Sequence, residues 1–340
     1  MPRIWLAMLL LAAAFAAPAR AADAADHAVV FMYHRFGGGD HPSTNIRLEQ
    51  FEAHLAHLEE GGYAVWSLPK IVAALRDGTP IPDRTVALTA DDAYRSVLTE
   101  AWPRLKARGW PMTLFVATDQ VDRGGANLLS WDEIRRLRDE GMDIQAHSAA
   151  HGHMAAMTAE AAARDFARSN ERFEAELGFR PEFLAYPYGE YGNDLIEVAR
   201  AAGYAAAFGQ HSGPVGPDRP LFELPRFAMN EHYGTPERFR LAAASLPLAV
   251  SDPEPADTVL QAGVTPSYAF TLAGEGRPSA LSCFHSGRTA PLDIDIQGKR
   301  IGFAAPFALK PGRSRFNCTA PAGGGRFYWY GRQFVVTGGG

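Results

Sequence analysis

At 340 residues, with 47% hydrophobic and 21% charged side chains, the chain has the composition of a globular protein and the length of about two domains. A formal net charge of −5 and the lack of a polybasic run exclude a general nucleic-acid binder and an electrostatic anchor on anionic lipid.

The N-terminus, MPRIWLAMLLLAAAFAAPARA, carries Arg3, an apolar run from Ile4 to Ala17, and Ala19-Arg20-Ala21 in the small-x-small pattern of a signal-peptidase site. The run falls short of the roughly 20 apolar residues that span a bilayer, and Pro18 and Arg20 interrupt it. Residues 1–21 are therefore expected to be a signal peptide, and the protein periplasmic or secreted from a bacterium, with no stable membrane anchor after cleavage. Removal leaves 31 basic against 38 acidic side chains, a net −7. The only cysteines, Cys283 and Cys318, are expected to form one disulfide in such an oxidising compartment.

From residue 28 to about 228, short buried strands alternate with amphipathic helices. AVVFMYH, TVALTA, PMTLFVAT, GMDIQAHS and PEFLAYP read as strands rich in Val, Ile, Phe and Thr. SLPKIVAALRDG predicts a helix from Ser67 to Gly78. SWDEIRRLRDEG predicts another, with a Ser130–Glu133 capping box and a stop at Gly141, and a third runs from Thr158 to Gly178. Strand-helix alternation implies a parallel sheet, wound open or closed into a barrel. Residues 22–245 are read as this α/β domain and the Pro- and Asp-rich 246–258 as a linker. Short alternating runs between Gly and Pro turns predict a β-sandwich over 259–340, stapled by Cys283–Cys318.

Polar residues gather at the ends of the predicted strands. His34 ends the first, Asp91 and Asp92 follow TVALTA, His147 and His151 follow MDIQA, and Tyr188 and Gly189 follow FLAYP. Parallel α/β folds build their sites at those C-terminal ends. One Asp with two His suits Zn²⁺ or a similar divalent ion with open positions. Only one of the paired aspartates needs to ligate; the other can serve as general base, since the cation offsets their repulsion.

TADDAY, HSAAH and AYPYGEY resemble, in order and spacing, the motifs of NodB-type polysaccharide deacetylases (carbohydrate esterase family four) over residues 28 to 230. The resemblance implies a distorted (β/α) barrel; the sandwich after it, read from its short alternating strands, is expected to be immunoglobulin-like. The resemblance also implies Asp91 as base, Asp92, His147 and His151 as ligands of one divalent ion (Zn²⁺ first; Co²⁺, Ni²⁺ or Fe²⁺ as alternatives), and the Tyr188 N–H as an oxyanion donor. FMYHRF is similar to the start of the poly-N-acetylglucosamine deacetylase branch, which implies His34 as general acid. Ala90 and Ala93 replace the family's usual Phe and Gly. The Arg common before the third-motif Pro is missing, so Arg226 is a candidate to orient the catalytic Asp, with a surface ion pair as its alternative.

The implied activity is metal-dependent N-deacetylation of an N-acetylhexosamine polysaccharide, in a setting such as polysaccharide export or biofilm machinery. O-acetyl esterase action on the same site and non-catalytic glycan binding or assembly are the rivals. His54 and His57 are expected to face solvent from a helix whose buried face is Phe51, Leu55 and Leu58. His153 reads as a loop residue, and Tyr33, Tyr186 and Tyr191 as packing residues. At least half the aromatics of FYWYGRQF belong in a core, the rest being candidates for sugar stacking.

Overall fold

The computed structural model describes residues 25–273 and 280–338; the expected signal peptide lies outside them. The first layer of the fold is one all-parallel sheet. Its strands are β1 (Val29–Tyr33), β2 (Ala64–Val65), β3 (Thr85–Asp91), β4 (Thr113–Val116), β5 (Asp143–Ala146), β6 (Phe183–Ala185), β7 (Ala206–Phe208) and β8 (Phe227–Ala228). The order is β8-β1-β3-β4-β5-β6-β7, with β2 on the start of β3. β7 and β8 are unpaired with each other, so the curled sheet is a partial barrel rather than a closed one. Central β3 is buried along its whole length, which explains why Val86–Leu88 reads as a continuous apolar run rather than an alternation.

The predicted helices form where their punctuation placed them. Leu68–Asp77 ends on Gly78 in the left-handed region, Trp131–Asp139 carries the Ser130–Glu133 capping box, and Ala159–Leu177 is capped by Thr158 and ends on left-handed Gly178. They pack on the sheet around a core that includes Phe31, Tyr33, Phe51, Phe166, Phe173 and Tyr186. No described helix is long and apolar enough to cross a membrane.

Beyond residue 245 the elements of the described residues are all strands: β9 (Leu246–Pro247), β10 (Val250–Glu254), β11 (Val259–Gln261), β12 (Ser267–Leu272), β13 (Ser282–His285), β14 (Asp295–Gln297), β15 (Arg300–Ala304), β16 (Gly312–Gly323) and β17 (Arg326–Thr337). One sheet runs β9-β17-β16-β13 with β11 also on β17; the other runs β10-β12-β15-β14. The expected linker 246–258 is corrected here. Leu246–Pro247 pairs with Tyr328–Trp329 and Val250–Glu254 with β12, because strand ladders take up backbone groups that a composition rich in Pro and Asp does not reveal. Cys283 and Cys318 lie directly opposite each other on β13 and β16 and form the disulfide.

The two layers are locked together. Arg326 makes a two-pronged pair with Asp83, both contacts at 2.9 Å, and donates from Nε to the Ala244 carbonyl. Trp329 packs its ring on Phe227 of β8, and its Nε1–H donates to Asn317. Trp329 of FYWYGRQF thus serves the joint between the layers, while Tyr330 and Phe334 fill the sandwich core. Gly331 lies so close to the joint that a Cβ there would meet the Ser212 carbonyl oxygen at 2.1 Å. Gly331→Ala is therefore expected to destabilise the protein by about 1–3 kcal/mol, as forced overpacking does. A denaturant titration checks it.

The Asp83–Arg326 pair also makes docking pH-dependent. Burial raises the Asp83 pKa, but the Arg326 bonds outweigh it and hold the carboxyl below its ordinary value. Its contribution is full above the unfolded value near 4 and is lost as pH falls through the lowered folded value. Asp83→Asn is expected to cost about 1–2 kcal/mol at pH 7, a cost that shrinks as pH falls below about 4. Unfolding free energies of both proteins at pH 7, 4 and 3 read that difference.

Candidate active site

β3 delivers Asp91 as its last residue, fully buried, and the chain turns sharply after it: Asp92 and Ala93 both have positive φ, +74° and +53°. The left-handed Ala93 sits where the family motif has Gly, and its methyl is buried in the core. Arg226 is also fully buried and forks onto Asp91, with Nη1 to Oδ1 at 2.7 Å and Nη2 to Oδ2 at 2.8 Å. Its Nε donates to the Gly209 carbonyl and its Nη1 also reaches Thr89 Oγ1, so all three guanidinium nitrogens are engaged. The surface-pair alternative for Arg226 is thereby excluded. Burial opposes the Asp91 charge, yet Arg226 and then His147 outweigh it and hold the pKa below the usual carboxylate value.

The HSAAH segment leaves β5 through a tight loop in which Ser148 and His151 take positive φ, +63° and +55°. Asp165, on the helix Ala159–Leu177, accepts from the Ala149 and Ala150 N–H groups at 2.8 and 3.0 Å and fixes that loop. His147 Nδ1 donates to the Ala185 carbonyl at 2.7 Å, which turns the Nε2 lone pair towards Asp92 Oδ1, 3.5 Å away. Both atoms are buried, and neither has a hydrogen-bond partner among the described residues. Two acceptors facing each other in this way call for a cation. His151 Nε2 lies 3.1 Å from the same oxygen, and one ligand atom from each of the three residues falls within 4.8 Å of the others. Burial lowers the His147 pKa to about 4 and keeps its ring neutral, as a ligand must be. Asp92, His147 and His151 therefore fit a divalent ion on the chemistry of the donor set.

Asp91 Oδ2 lies 3.9 Å from His147 Nε2, beside the triad. Pro187–Gly189 forms a single tight turn with Tyr188 left-handed at φ +59°, its ring centroid 4.7 Å from that of His151. Five of the eight described non-glycine residues with positive φ, namely Asp92, Ala93, Ser148, His151 and Tyr188, lie in these three loops, a concentration of strain typical of functional sites. A cavity of about 340 Å³ opens over them, lined by His34, Asp92, His151, Tyr188, Arg313 and Arg315 among others. Every sequence-predicted site residue is thus gathered around one centre.

Residues 78–207 match the sequence model of the family described as polysaccharide deacetylase. The chain carries a NodB-type polysaccharide deacetylase domain. Among curated relatives, the protein YxkH of Bacillus subtilis (strain 168) is 23% identical over 197 residues, covering 58% of this chain and 69% of that one. The poly-β-1,6-N-acetyl-D-glucosamine N-deacetylase of Escherichia coli (strain K12) is 26% identical over 215 residues. That match covers 51% of this chain and only 32% of the relative. The fold of this deacetylase domain is shared with the Streptococcus pyogenes deacetylase PplD in complex with acetate: TM-score 0.59, 21% identity, 64% of this chain and 98% of that one. IcaB from Ammonifex degensii gives a TM-score of 0.57 at 23% identity, covering 65% and 98%.

One side-chain expectation is overturned. His54 is fully buried rather than solvent-facing: its Nδ1 meets Tyr33 Oη at 3.0 Å, its Nε2 meets the Gly234 carbonyl at 2.9 Å, and its ring stacks on Phe239. The helix Pro236–Ala243 covers that face, a partner the helical period of α/β residues 48–60 cannot announce. His57 is only partly buried, and its Nε2 has no hydrogen-bond partner among the described residues. His153 is a loop residue whose Nδ1 pairs with Glu190 at 2.9 Å, while its ring stacks on Tyr188. Four contributors went unnoticed in the sequence: Asp165, which holds the HSAAH loop, and Arg313, Arg315 and Gln333 from the β domain. Gln333 Nε2 donates to the Tyr188 and Gly189 carbonyls at 3.0 and 2.8 Å. No motif marks any of the four.

Proposed function

We propose that the protein hydrolyses N-acetyl groups of an N-acetylhexosamine polysaccharide outside the cytoplasm. The observation that carries this reading is the buried Arg226–Asp91 fork beside the cation-demanding Asp92–His147–His151 triad. The relatives named as poly-β-1,6-N-acetyl-D-glucosamine N-deacetylases support the choice of an amide substrate. The signal-like N-terminus and the Cys283–Cys318 disulfide support the location.

Asp92, His147 and His151 would hold the ion, with Zn²⁺ the best match to a mixed carboxylate and imidazole set. Bound there, a divalent ion supplies Lewis-acid polarisation of an acyl oxygen and acidifies water. Asp91, kept ionised by Arg226, takes the proton of the attacking water through Oδ2, the oxygen nearer the triad. The Tyr188 N–H donates to the oxygen that becomes negative in the tetrahedral intermediate. Gln333 clamps the carbonyl side of that peptide turn and so holds the N–H in place. His34, on the cavity wall, protonates the departing amine. The C–N bond then breaks, giving acetate and a free amino sugar.

Acetate release from β-linked N-acetylglucosamine oligosaccharides, compared with an O-acetylated oligosaccharide, tests the reading. Release from the N-acetyl substrates supports it. Turnover of the O-acetyl substrate alone replaces it with esterase action, and the absence of turnover on both with glycan bound replaces it with a binding role.

A further inference from the structure

The β domain does more than brace the deacetylase layer. Strand β16 runs along the active-site cavity and sends Arg313 and Arg315, two residues apart and hence on one face of the strand, into its wall. Neither has a carboxylate within ion-pair distance among the described residues. Among the described residues the Arg313 side chain hydrogen-bonds only the Tyr188 carbonyl at 3.3 Å and Gln210 Oε1 at 3.5 Å, both from Nη1, and its guanidinium lies 5.7 Å from the Tyr188 ring centroid. Arg315 spends its Nε on Gln333 Oε1 at 2.6 Å and its backbone N–H on Ser286 Oγ at 3.0 Å. Its two Nη groups make no hydrogen bond among the described residues.

The arrangement is built rather than incidental. Gln333 is fixed from one end by the Tyr188 and Gly189 carbonyls and from the other by Arg315, so the guanidinium is aimed by the same residue that clamps the Tyr188 turn. Glu190, the carboxylate whose charge acts on Arg315, is buried and shares its Oε2 with His153. Burial and then Arg313 pull the Arg315 pKa down to about 10, against a smaller opposing pull from Tyr233 and Glu190. On a chain of net charge −5, the arginine pair is a local reversal of sign. A guanidinium with unused Nη groups facing a cleft is suited to two-pronged recognition of a carboxylate or phosphate. Tyr233, 45% exposed on the same cavity, offers a ring face for the sugar that bears the anion.

We propose that Arg313 and Arg315 form an anion subsite next to the reacting sugar, so that the substrate is an acidic polysaccharide carrying a carboxylate or phosphate within one or two residues of the N-acetylhexosamine. The inference rests on the deacetylase reading and deepens it: the β domain, outside the matched region 78–207, sets substrate choice. The anion would come either from a uronic acid or from a phosphodiester-linked glycan, and both present the same oxygen chemistry to the guanidinium pair.

The test is surface plasmon resonance on the immobilised full chain, which reads binding in seconds, at low and at physiological salt. The probes are a neutral N-acetylglucosamine hexamer, an oligomer alternating glucuronate with N-acetylglucosamine, and an oligomer of N-acetylglucosamine 1-phosphate. An acidic probe is expected to bind about tenfold or more tightly than the neutral one at low salt, with the advantage reduced by salt. Arg313→Gln/Arg315→Gln should bring that ratio close to one, and Arg315→Lys should keep part of it. Arg313→Gln alone, at an exposed position, carries the test should the double variant fail to fold. Whichever acidic probe binds more tightly names the source of the anion. A ratio near one in the unaltered chain, or a ratio unchanged in the variants, overturns the proposal. A charge preference that persists while no probe yields acetate overturns the deacetylase reading and leaves the subsite standing.

Discussion

Asp91→Asn is expected to lower acetate release by about 10²–10⁴-fold, the usual worth of a positioned general base. It should also weaken the fold, since it leaves the fully buried Arg226 guanidinium without its counter-charge. Removing one partner of a buried ion pair costs about 3–5 kcal/mol. The two losses separate in the double variant Asp91→Asn/Arg226→Met. With both charges gone, much of the stability should return, less the cost of the Gly209 carbonyl and Thr89 hydroxyl that Arg226 now satisfies. Activity should not return. Denaturant midpoints read alongside acetate release decide it, and recovery of both together would mean that Asp91 serves only as a structural partner.

The second large effect concerns the ion. Among the described residues, Asp92 Oδ1 and the His147 Nε2 lone pair face each other without a hydrogen bond, so a bound cation is expected to stabilise the fold as well as enable chemistry. A ligand that binds only the folded state contributes about 2.7 kcal/mol at a hundredfold excess over Kd. For a domain of this size that is roughly 5–10 °C in Tm. Chelation is expected to abolish acetate release and lower Tm by that amount. His147→Ala should already show both losses and respond no further to chelator. A chelator-insensitive Tm in the unaltered protein would remove the argument for the ion.

Much of this was readable before the fold was seen, and the reasons are local. The strand runs and helix punctuation depend on neighbours within a turn or a pleat, so TVALTA, the Ser130–Glu133 box and Gly178 predicted their elements. The strand-end polar residues were legible because a parallel sheet presents its C-terminal ends together. What stayed open or hidden depends on partners distant in sequence. Arg226 was a candidate partner for Asp91, but across 135 residues the sequence left a surface ion pair equally open; the reach of Gln333 to Tyr188 across 145 residues and the burial of His54 under a helix that begins at Pro236 left no trace. The supposed linker failed for the same reason: Leu246–Pro247 is a strand only because β17, some 80 residues later, pairs with it. Ala93 is an intermediate case. Its place in the motif was visible, whereas its left-handed backbone is a consequence of the turn that separates Asp91 from Asp92.

In the proposed mechanism that separation lets two adjacent carboxylates do different work. One is turned towards Arg226 and the other towards two imidazoles, so their environments, rather than their sequence positions, set their roles. The most direct test is to strip the protein of metal, add Zn²⁺ back in steps, and follow acetate release from an N-acetylglucosamine oligosaccharide. The rate should rise in proportion to added ion and level off at one equivalent per chain, and Asp91→Asn should bind the same single equivalent while staying inactive. A rate that is independent of added metal, or an Asp91→Asn protein that recovers full activity at one equivalent, would contradict the account.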